Sequence, residues 1–189
     1  MEPFPGMRRV KQINLSHCCP AVLVALFSFL GARVSQRAIT RSLRAQNKIK
    51  KYGFVMKEMA RAAKIYGREG KLVFWQKRNA KISDVDLAVN RYMFPVGVEW
   101  QGVFYENEDE DNGHYCIVTE IDKKQGHLRL SDPYPEFAGV DRKFPIVFFA
   151  KRWWDKNVIR GRKVMDKRIM FVIAPRGDSW PKKLGMRRE

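Results

Sequence analysis

Between Cys19 and Val34 the chain is apolar almost all round, broken only by Ser28, Gly31 and Arg33. A segment without a polar face predicts a helix buried on every side. Pro20 suits its first turn, where a missing N–H costs nothing. Ser35 then offers an oxygen to cap a second, amphipathic helix running to about Leu43. Ile49 to Gly53 reads as a connection. A third helix follows, with Val55, Met56, Met59, Ala60 and Ala63 at helical spacing, and it closes at Gly67.

After Gly67 the period shortens. Leu72-Val73-Phe74-Trp75 reads as a strand, and Ser83 caps a short helix whose core face holds Val85, Leu87 and Val89. Phe94–Trp100 and Tyr115–Ile121 are strand-like. The second is bounded by Asn112-Gly113 before it and by Lys123 to Gly126 after it, so His127–Leu130 pairs with it as a hairpin. Ile146–Trp154 predicts a short helix, and Arg168–Ile173 a closing strand before Pro175. Helices first and strands later predict an α+β domain: a helical N-terminal half and an antiparallel C-terminal sheet. Residues 1–11, with Pro3 and Pro5, form an extended lead-in. One domain spans 1–175, and 176–189 is read as a basic, flexible tail.

Composition narrows the setting. Hydrophobic residues make up 45% of the chain, enough for a core, which excludes disorder of the whole. The ten residues from Ala21 to Leu30 follow Arg8, Arg9 and Lys11 as in a signal peptide, yet a bilayer needs about 20 apolar residues. Cleavage after Gly31-Ala32 would meet Arg33 at once. The three cysteines give no disulfide framework, so a reducing, cytoplasmic setting is expected, with secretion the weaker reading. The formal charge of +17 is uneven: residues 33–81 hold fifteen Lys and Arg against Glu58 and Glu69. Such a surface attracts an acidic partner or nucleic acid, although no stacking platform interleaves aromatics with the basic residues. One acidic run, Glu106 to Asp111, opposes it and is read as a solvated loop or a flank selecting basic peptide segments.

The reactive inventory is short. Histidines stand at 17, 114 and 127, and cysteines at 18, 19 and 116. Cys18 opens the buried helix, where the macrodipole and unpaired N–H groups favour an anion, and a thiolate is the nucleophilic form of cysteine. A cysteine packed at a helix start is by itself ordinary. Gln12, six residues earlier, can donate its amide to an oxyanion. His114 opens one strand of the hairpin and Asp132 follows the other, so the carboxylate can return to hold the imidazole tautomer. A zinc site from Cys18, Cys19, His114 and Cys116 is disfavoured, because adjacent cysteines rarely reach one tetrahedral ion. No metal and no cofactor is expected. His127 is read as a solvated hairpin residue.

Gln12-Ile-Asn-Leu-Ser-His-Cys18-Cys-Pro-Ala21 resembles the Gln…Asp-Cys-Gly-Pro-Ala signature of the bacteriocin-processing, double-glycine leader peptidases, which are papain-like cysteine peptidases. Gly53–Ala63 and Ser83–Val98 are similar to that family's segments in order. So are Gly113-His114-Tyr115, Ser131-Asp132-Pro133 and Phe144–Trp154, so roughly residues 8–174 are covered. The resemblance implies a papain-like fold and peptide substrates. It also implies roles: Cys18 nucleophile, His114 general base then acid, Asp132 orienter, Gln12 oxyanion donor. Cys19 stands where the family has Gly, and His17 where it has an acidic residue. These departures keep two alternatives in view: a catalytically silent binding module using its basic surface, and a cysteine acyltransferase or amidase.

Overall fold

The computed structural model describes residues 3–67, 70–104, 113–159 and 162–189. Four helices come first: α1 (Cys18–Phe29), α2 (Gln36–Ser42), α3 (Gln46–Tyr52) and α4 (Met56–Tyr66). Nine of the twelve residues of α1 are buried, as its unbroken apolar sequence requires. Ser35 caps α2 through Oγ, which accepts from the Ala38 N–H at 3.1 Å. Glu58 ties off α4 by accepting from the Val55 N–H at 3.1 Å. Of the stretch 49–53, expected to be a connection, residues 49–52 belong instead to α3, whose buried Ile49 seats it against the core, and Gly53 closes the helix at φ 66°.

The remainder is built on one seven-stranded antiparallel sheet in the order β5-β4-β3-β2-β8-β1-β9. Its strands are β1 (Leu72–Lys77), β2 (Val96–Gln101), β3 (Gly113–Asp122), β4 (His127–Ser131), β5 (Asp141–Pro145), β8 (Ile169–Pro175) and β9 (Arg187–Arg188). A separate two-stranded ribbon pairs β6 (Trp154–Ile159) with β7 (Arg162–Lys167). Helix α5 (Ile82–Asp86) runs on into a π-helical turn at Leu87–Arg91, and α6 (Ile146–Arg152) follows β5. The cap of α5 is Asp84, which accepts from the Lys81 N–H at 2.8 Å, and not Ser83. The expected α+β class therefore holds. Helix α1 packs across β3 and touches β8, so the buried helix and the sheet share one core.

At the register pair Gly97↔Phe171 the Phe171 ring occupies the space of a side chain on β2: a Cβ on Gly97 would lie 2.1 Å from it. Any larger residue at that position is thereby excluded, and the ring stacks on Phe74 at 5.6 Å.

The C-terminus departs from expectation. Residues 180–188 are packed, not a flexible tail: α7 (Trp180–Lys183) buries Trp180 and Pro181, and β9 pairs with the outer edge of β1. The Trp180 ring stacks on Tyr92 at 5.0 Å and meets Phe94 at 5.0 Å. Leu184 and Met186 are buried as well. Three apolar side chains spread through a basic segment suffice to anchor it, and β9 covers an edge that would otherwise pair with another chain. Trp180→Ala is expected to destabilise the fold by about 3 kcal/mol, read as a lower urea midpoint. Exposed Arg187→Gln should change it by less than about 0.5 kcal/mol.

Candidate active site

The approach to α1 is held by hydrogen bonds at each step. Gln36, the first residue of α2, brackets Gln12: its Nε2 donates to the Lys11 carbonyl at 2.7 Å, and its Oε1 accepts from the Ile13 N–H at 3.1 Å. The Gln12 N–H donates to the Pro133 carbonyl at 2.8 Å, which sets this segment beside the residue after Asp132. The Gln12 side chain is buried. Its Nε2 donates to the Asn14 carbonyl at 3.0 Å, while Oε1 has no hydrogen-bond partner among the described residues. An NH₂ group carries two hydrogens, so one remains for another acceptor.

A tight turn then leads to the helix. Asn14 Oδ1 accepts from the Ser16 N–H and hydroxyl, both at 3.1 Å, and meets His17 Nδ1 at 2.5 Å. The Ser16 N–H fixes that atom as oxygen, so His17 Nδ1 must be the donor and Nε2 the acceptor. Burial pushes the His17 pKa below its ordinary value, so the ring is neutral at pH 7. The first helical bond runs from the Ala21 N–H to the His17 carbonyl at 3.0 Å, which leaves the Cys18 and Cys19 N–H groups outside the ladder.

Burial separates the two adjacent thiols. Cys18 is partly exposed, whereas Cys19 is wholly buried. Desolvation, reinforced by Cys18, Glu99 and Glu58, raises the Cys19 pKa well above normal. Cys19 is a packing residue held as a neutral thiol. The accessible sulfur at the helix start is that of Cys18.

The hairpin carries the second half of the site. Register pairs Ile117↔Ser131 and Val118↔Leu130 bring the end of β4 back to the start of β3. His114 Nε2 and Asp132 Oδ1 meet there at 2.8 Å, both buried. Asp132 Oδ1 also accepts from the Tyr134 N–H at 2.9 Å, and Oδ2 accepts from Arg142 on β5 at 2.8 Å. Arg142 reaches on to the Val103 carbonyl at 3.0 Å and lies 3.6 Å over the Phe137 ring. Burial works against the Asp132 charge, but His114, the Tyr134 N–H and Arg142 outweigh it and hold the carboxyl down to about 2. With Nε2–H given to a carboxylate, His114 keeps Nδ1 to take up or release a proton.

Burial alone would lower the His114 pKa; Cys116 and Asp132 beside it raise it well above the ordinary histidine value. Of those two, only Asp132 is charged at neutral pH, because burial pushes the Cys116 thiol up to about 11. Cys116 shares the His114 face of β3 and accepts from Trp100 Nε1 at 3.3 Å. Its sulfur lies within 4.8 Å of a His114 ring nitrogen. Among the described residues no hydrogen bond joins Cys18 to His114, which is common before a substrate tightens a catalytic pair. Gly113 precedes the histidine for a steric reason: a Cβ there would lie 2.3 Å from the Asp155 carboxylate.

The ligating atoms of His114, Cys116 and Asp132 lie within 4.8 Å of one another. They do not suit a metal, because both Asp132 oxygens are already taken and one faces a guanidinium. Cys19 is likewise withdrawn from any zinc set by burial. His127, expected in solvent, is buried with Nε2 3.5 Å from Glu120. The run 106–111 lies outside the described residues. Arg142 and Gln36 escaped the sequence reading: β5 has no clean alternation, and a glutamine after an N-cap signals nothing by itself.

The family model of the Peptidase_C39 like family matches residues 5–157. Among solved structures, the peptidase domain of Streptococcus ComA, a bi-functional ABC transporter involved in a quorum sensing pathway, superposes with TM-score 0.62 at 18% identity, covering 90% of this chain and 99% of that one. A double glycine motif protease from an AMS/PCAT transporter, solved in complex with the leader peptide, gives 0.55 at 15% identity, with 93% and 99% covered. The N-terminal peptidase C39 like domain of the toxin secretion ATP-binding protein from Vibrio parahaemolyticus gives 0.51 at 15%, with 88% and 99% covered. No curated protein matches the chain by sequence. The expected fold of the C39, papain-like peptidase domains is the fold observed.

The Asp132 carboxyl has a stability consequence of definite sign. Its folded value near 2 lies below the ordinary 3.8, so its contribution is complete above about pH 4 and is lost as pH falls through 2. That contribution amounts to about 2 kcal/mol. Urea unfolding between pH 5 and pH 2 should show the loss, and Asp132→Asn should flatten that part of the profile.

Proposed function

The chain belongs to the Peptidase_C39 like family, and from that footing we propose that it is a cysteine peptidase that hydrolyses peptide bonds, its catalytic domain running past residue 175 to include the packed 180–188 segment. The observation that carries the reading is the buried His114–Asp132 pair on the strand against which the Cys18 helix packs. No helix among the described residues is long and apolar enough to cross a membrane.

In the proposed reaction the Cys18 thiolate attacks the scissile carbonyl while His114 Nδ1 holds the thiol proton. The developing oxyanion takes the second Gln12 Nε2–H and the Cys18 N–H, which the helix does not use. His114 passes its proton to the leaving amine. Water then attacks the thioester with His114 as base, which frees the acid and returns the thiol. Asp132 stays ionised throughout and keeps the imidazole in the Nε2–H tautomer. Cys116, for all its nearness to the ring, is unsuited to attack: it is buried, and its thiol is pushed up to about 11. The double glycine motif of the leader-peptide protease suggests small residues at the cleavage point for this chain also.

Labelling and turnover test this together. Iodoacetamide is expected to modify Cys18, with the rate falling sharply in His114→Ala, while Cys19→Ala keeps the label. On a fluorogenic Gly-Gly peptide, Cys18→Ala should abolish cleavage, and Gln12→Ala should lower kcat by about 10²–10³. Cleavage surviving in Cys18→Ala would remove the proposal, and an unreactive Cys18 would favour the silent binding module.

The alkaline limb of kcat/KM follows loss of the His114 proton. It should lie above the ordinary histidine range and move to lower pH in Asp132→Asn, since the carboxylate is what raises that value.

A further inference from the structure

One buried sulfur lies inside the site without a part in the proposed reaction. Cys116 is wholly shielded from solvent, two residues beyond His114 and on the same face of β3. On the β2 side, Trp100 stands opposite His114, and Val98 opposite Cys116. On the β4 side, the Ile117↔Ser131 pair, carried one residue further, sets Asp132 across from Cys116. The imidazole therefore leans along the strand, over Cys116, to reach Asp132 at 2.8 Å. The sulfur, a ring nitrogen and a carboxylate oxygen accordingly lie within 4.8 Å of one another.

A thiol is a weak donor through S–H and a weak acceptor through sulfur. The acceptor side is taken by the Trp100 indole N–H, which donates to Sγ at 3.3 Å. Trp100 is itself buried, with the Phe144 and Phe149 rings at 5.3 Å and 5.6 Å, so the donor is held in place. The S–H then needs an acceptor in a site that excludes water. A carboxylate offers about four lone-pair sites. Three donors already reach Asp132, from His114, the Tyr134 N–H and Arg142, which leaves room for one more within reach of Sγ. The sulfur is also a hydrogen-bond partner of His114 and favours its protonated form, which burial alone opposes. Because burial pushes the Cys116 thiol up to about 11, the sulfur brings no second negative charge beside Asp132.

We propose that Cys116 is a positioning residue for the His114–Asp132 pair: Trp100 holds its sulfur under the imidazole, and the sulfur keeps the ring aligned with Asp132 while the ring carries a proton. The inference deepens the peptidase reading and rests on it for the role of His114. No bond forms to this sulfur and it is neither oxidised nor reduced. Its part is to hold the ring through the step in which His114 bears the proton taken from Cys18. A β-branched hydrocarbon of similar size would fill the space without that contact and would orphan the buried Trp100 N–H. The other titratable and charged groups around the ring are Asp132 with Arg142 behind it, Tyr134 at 6.4 Å between ring centroids, and the Asp155 carboxylate against Gly113. Substitution at 116 leaves all of them in place, so a change in His114 reports the sulfur.

The test reads His114 directly. Its titration is followed by NMR on the full chain with isotope-labelled histidine and Cys18→Ala, the signal being assigned by its loss in His114→Gln. The alkaline limb of kcat/KM is followed with Cys18 in place. Cys116→Val should bring the titration midpoint down by about half a pH unit, the size that one weak hydrogen bond implies. The alkaline limb should move with it, and kcat should fall about threefold with KM unchanged. Cys116→Ser, whose hydroxyl can accept from Trp100 and face the ring, should restore most of both. Cys116→Ala, which adds no bulk, replaces the valine variant if urea unfolding shows that one to be poorly folded. A midpoint unmoved in Cys116→Val and Cys116→Ala overturns the proposal, and so does a serine variant that behaves like the valine one. Packing alone would change the urea midpoint but not the titration. An unmoved midpoint with cleavage retained sinks the positioning role and leaves the peptidase standing. A shifted midpoint in a chain that cleaves nothing sinks the peptidase and leaves the contact between Cys116 and His114.

Discussion

A carboxylate removed from water stays ionised only if the fold supplies what water did, and the geometry around Asp132 follows from that constraint. Its two oxygens receive an imidazole N–H from β3, a backbone N–H two residues on, and a guanidinium from β5. Three adjacent strands must therefore be in register before the charge is compensated. The same bonds fix the imidazole tautomer. Replacing Arg142 would not merely delete a contact; it would leave a buried charge short of a partner, the costly way to break such a network.

A second, half-buried carboxylate fastens the N-terminal lead-in to the same sheet. Arg9 grips Asp141 through Nε at 3.1 Å and a terminal nitrogen at 2.8 Å, and Thr119 donates to Asp141 at 2.7 Å. With the Gln12–Pro133 bond, these contacts bind residues 9–12 to β3, β4 and β5. Gln36 holds the same segment from the helical side. The stretch before Cys18 is thus stitched to both halves of the molecule, and Gln12 is held beside the hairpin end that follows Asp132.

What the sequence revealed follows from where its signals are local. The α1 helix, the Ser35 cap and the β3–β4 hairpin each rest on a few consecutive residues, and all are observed. The pairing of His114 with Asp132 was legible because the hairpin turn is short and the side-chain period is two. The ribbon β6–β7 was not legible, since half of its residues are charged and its strands are defined by each other more than by a buried face. The terminal segment misled for a related reason: Trp180 finds Tyr92 and Phe94, partners that composition cannot announce. His127 was misjudged because a hairpin position says nothing about what packs over it.

Net charge shows the same division between count and geometry. Arg9 and Arg142 are structural cations, each matched to a carboxylate shielded from solvent, Asp141 half-buried and Asp132 fully buried, and so contribute little to the field the surface presents. Arg37 and Arg41 contribute equally to the +17 of the sequence, yet among the described residues no carboxylate pairs with either and none lines the cavity they border. Residue type and number are identical in the two pairs; the difference lies in whether the fold brings a carboxylate to them. Steering of an acidic ligand by the whole field is long-ranged and is screened within about 8 Å at physiological salt. Paired charges at close range survive that screening better, so the total charge says little about where on the surface a ligand would be selected.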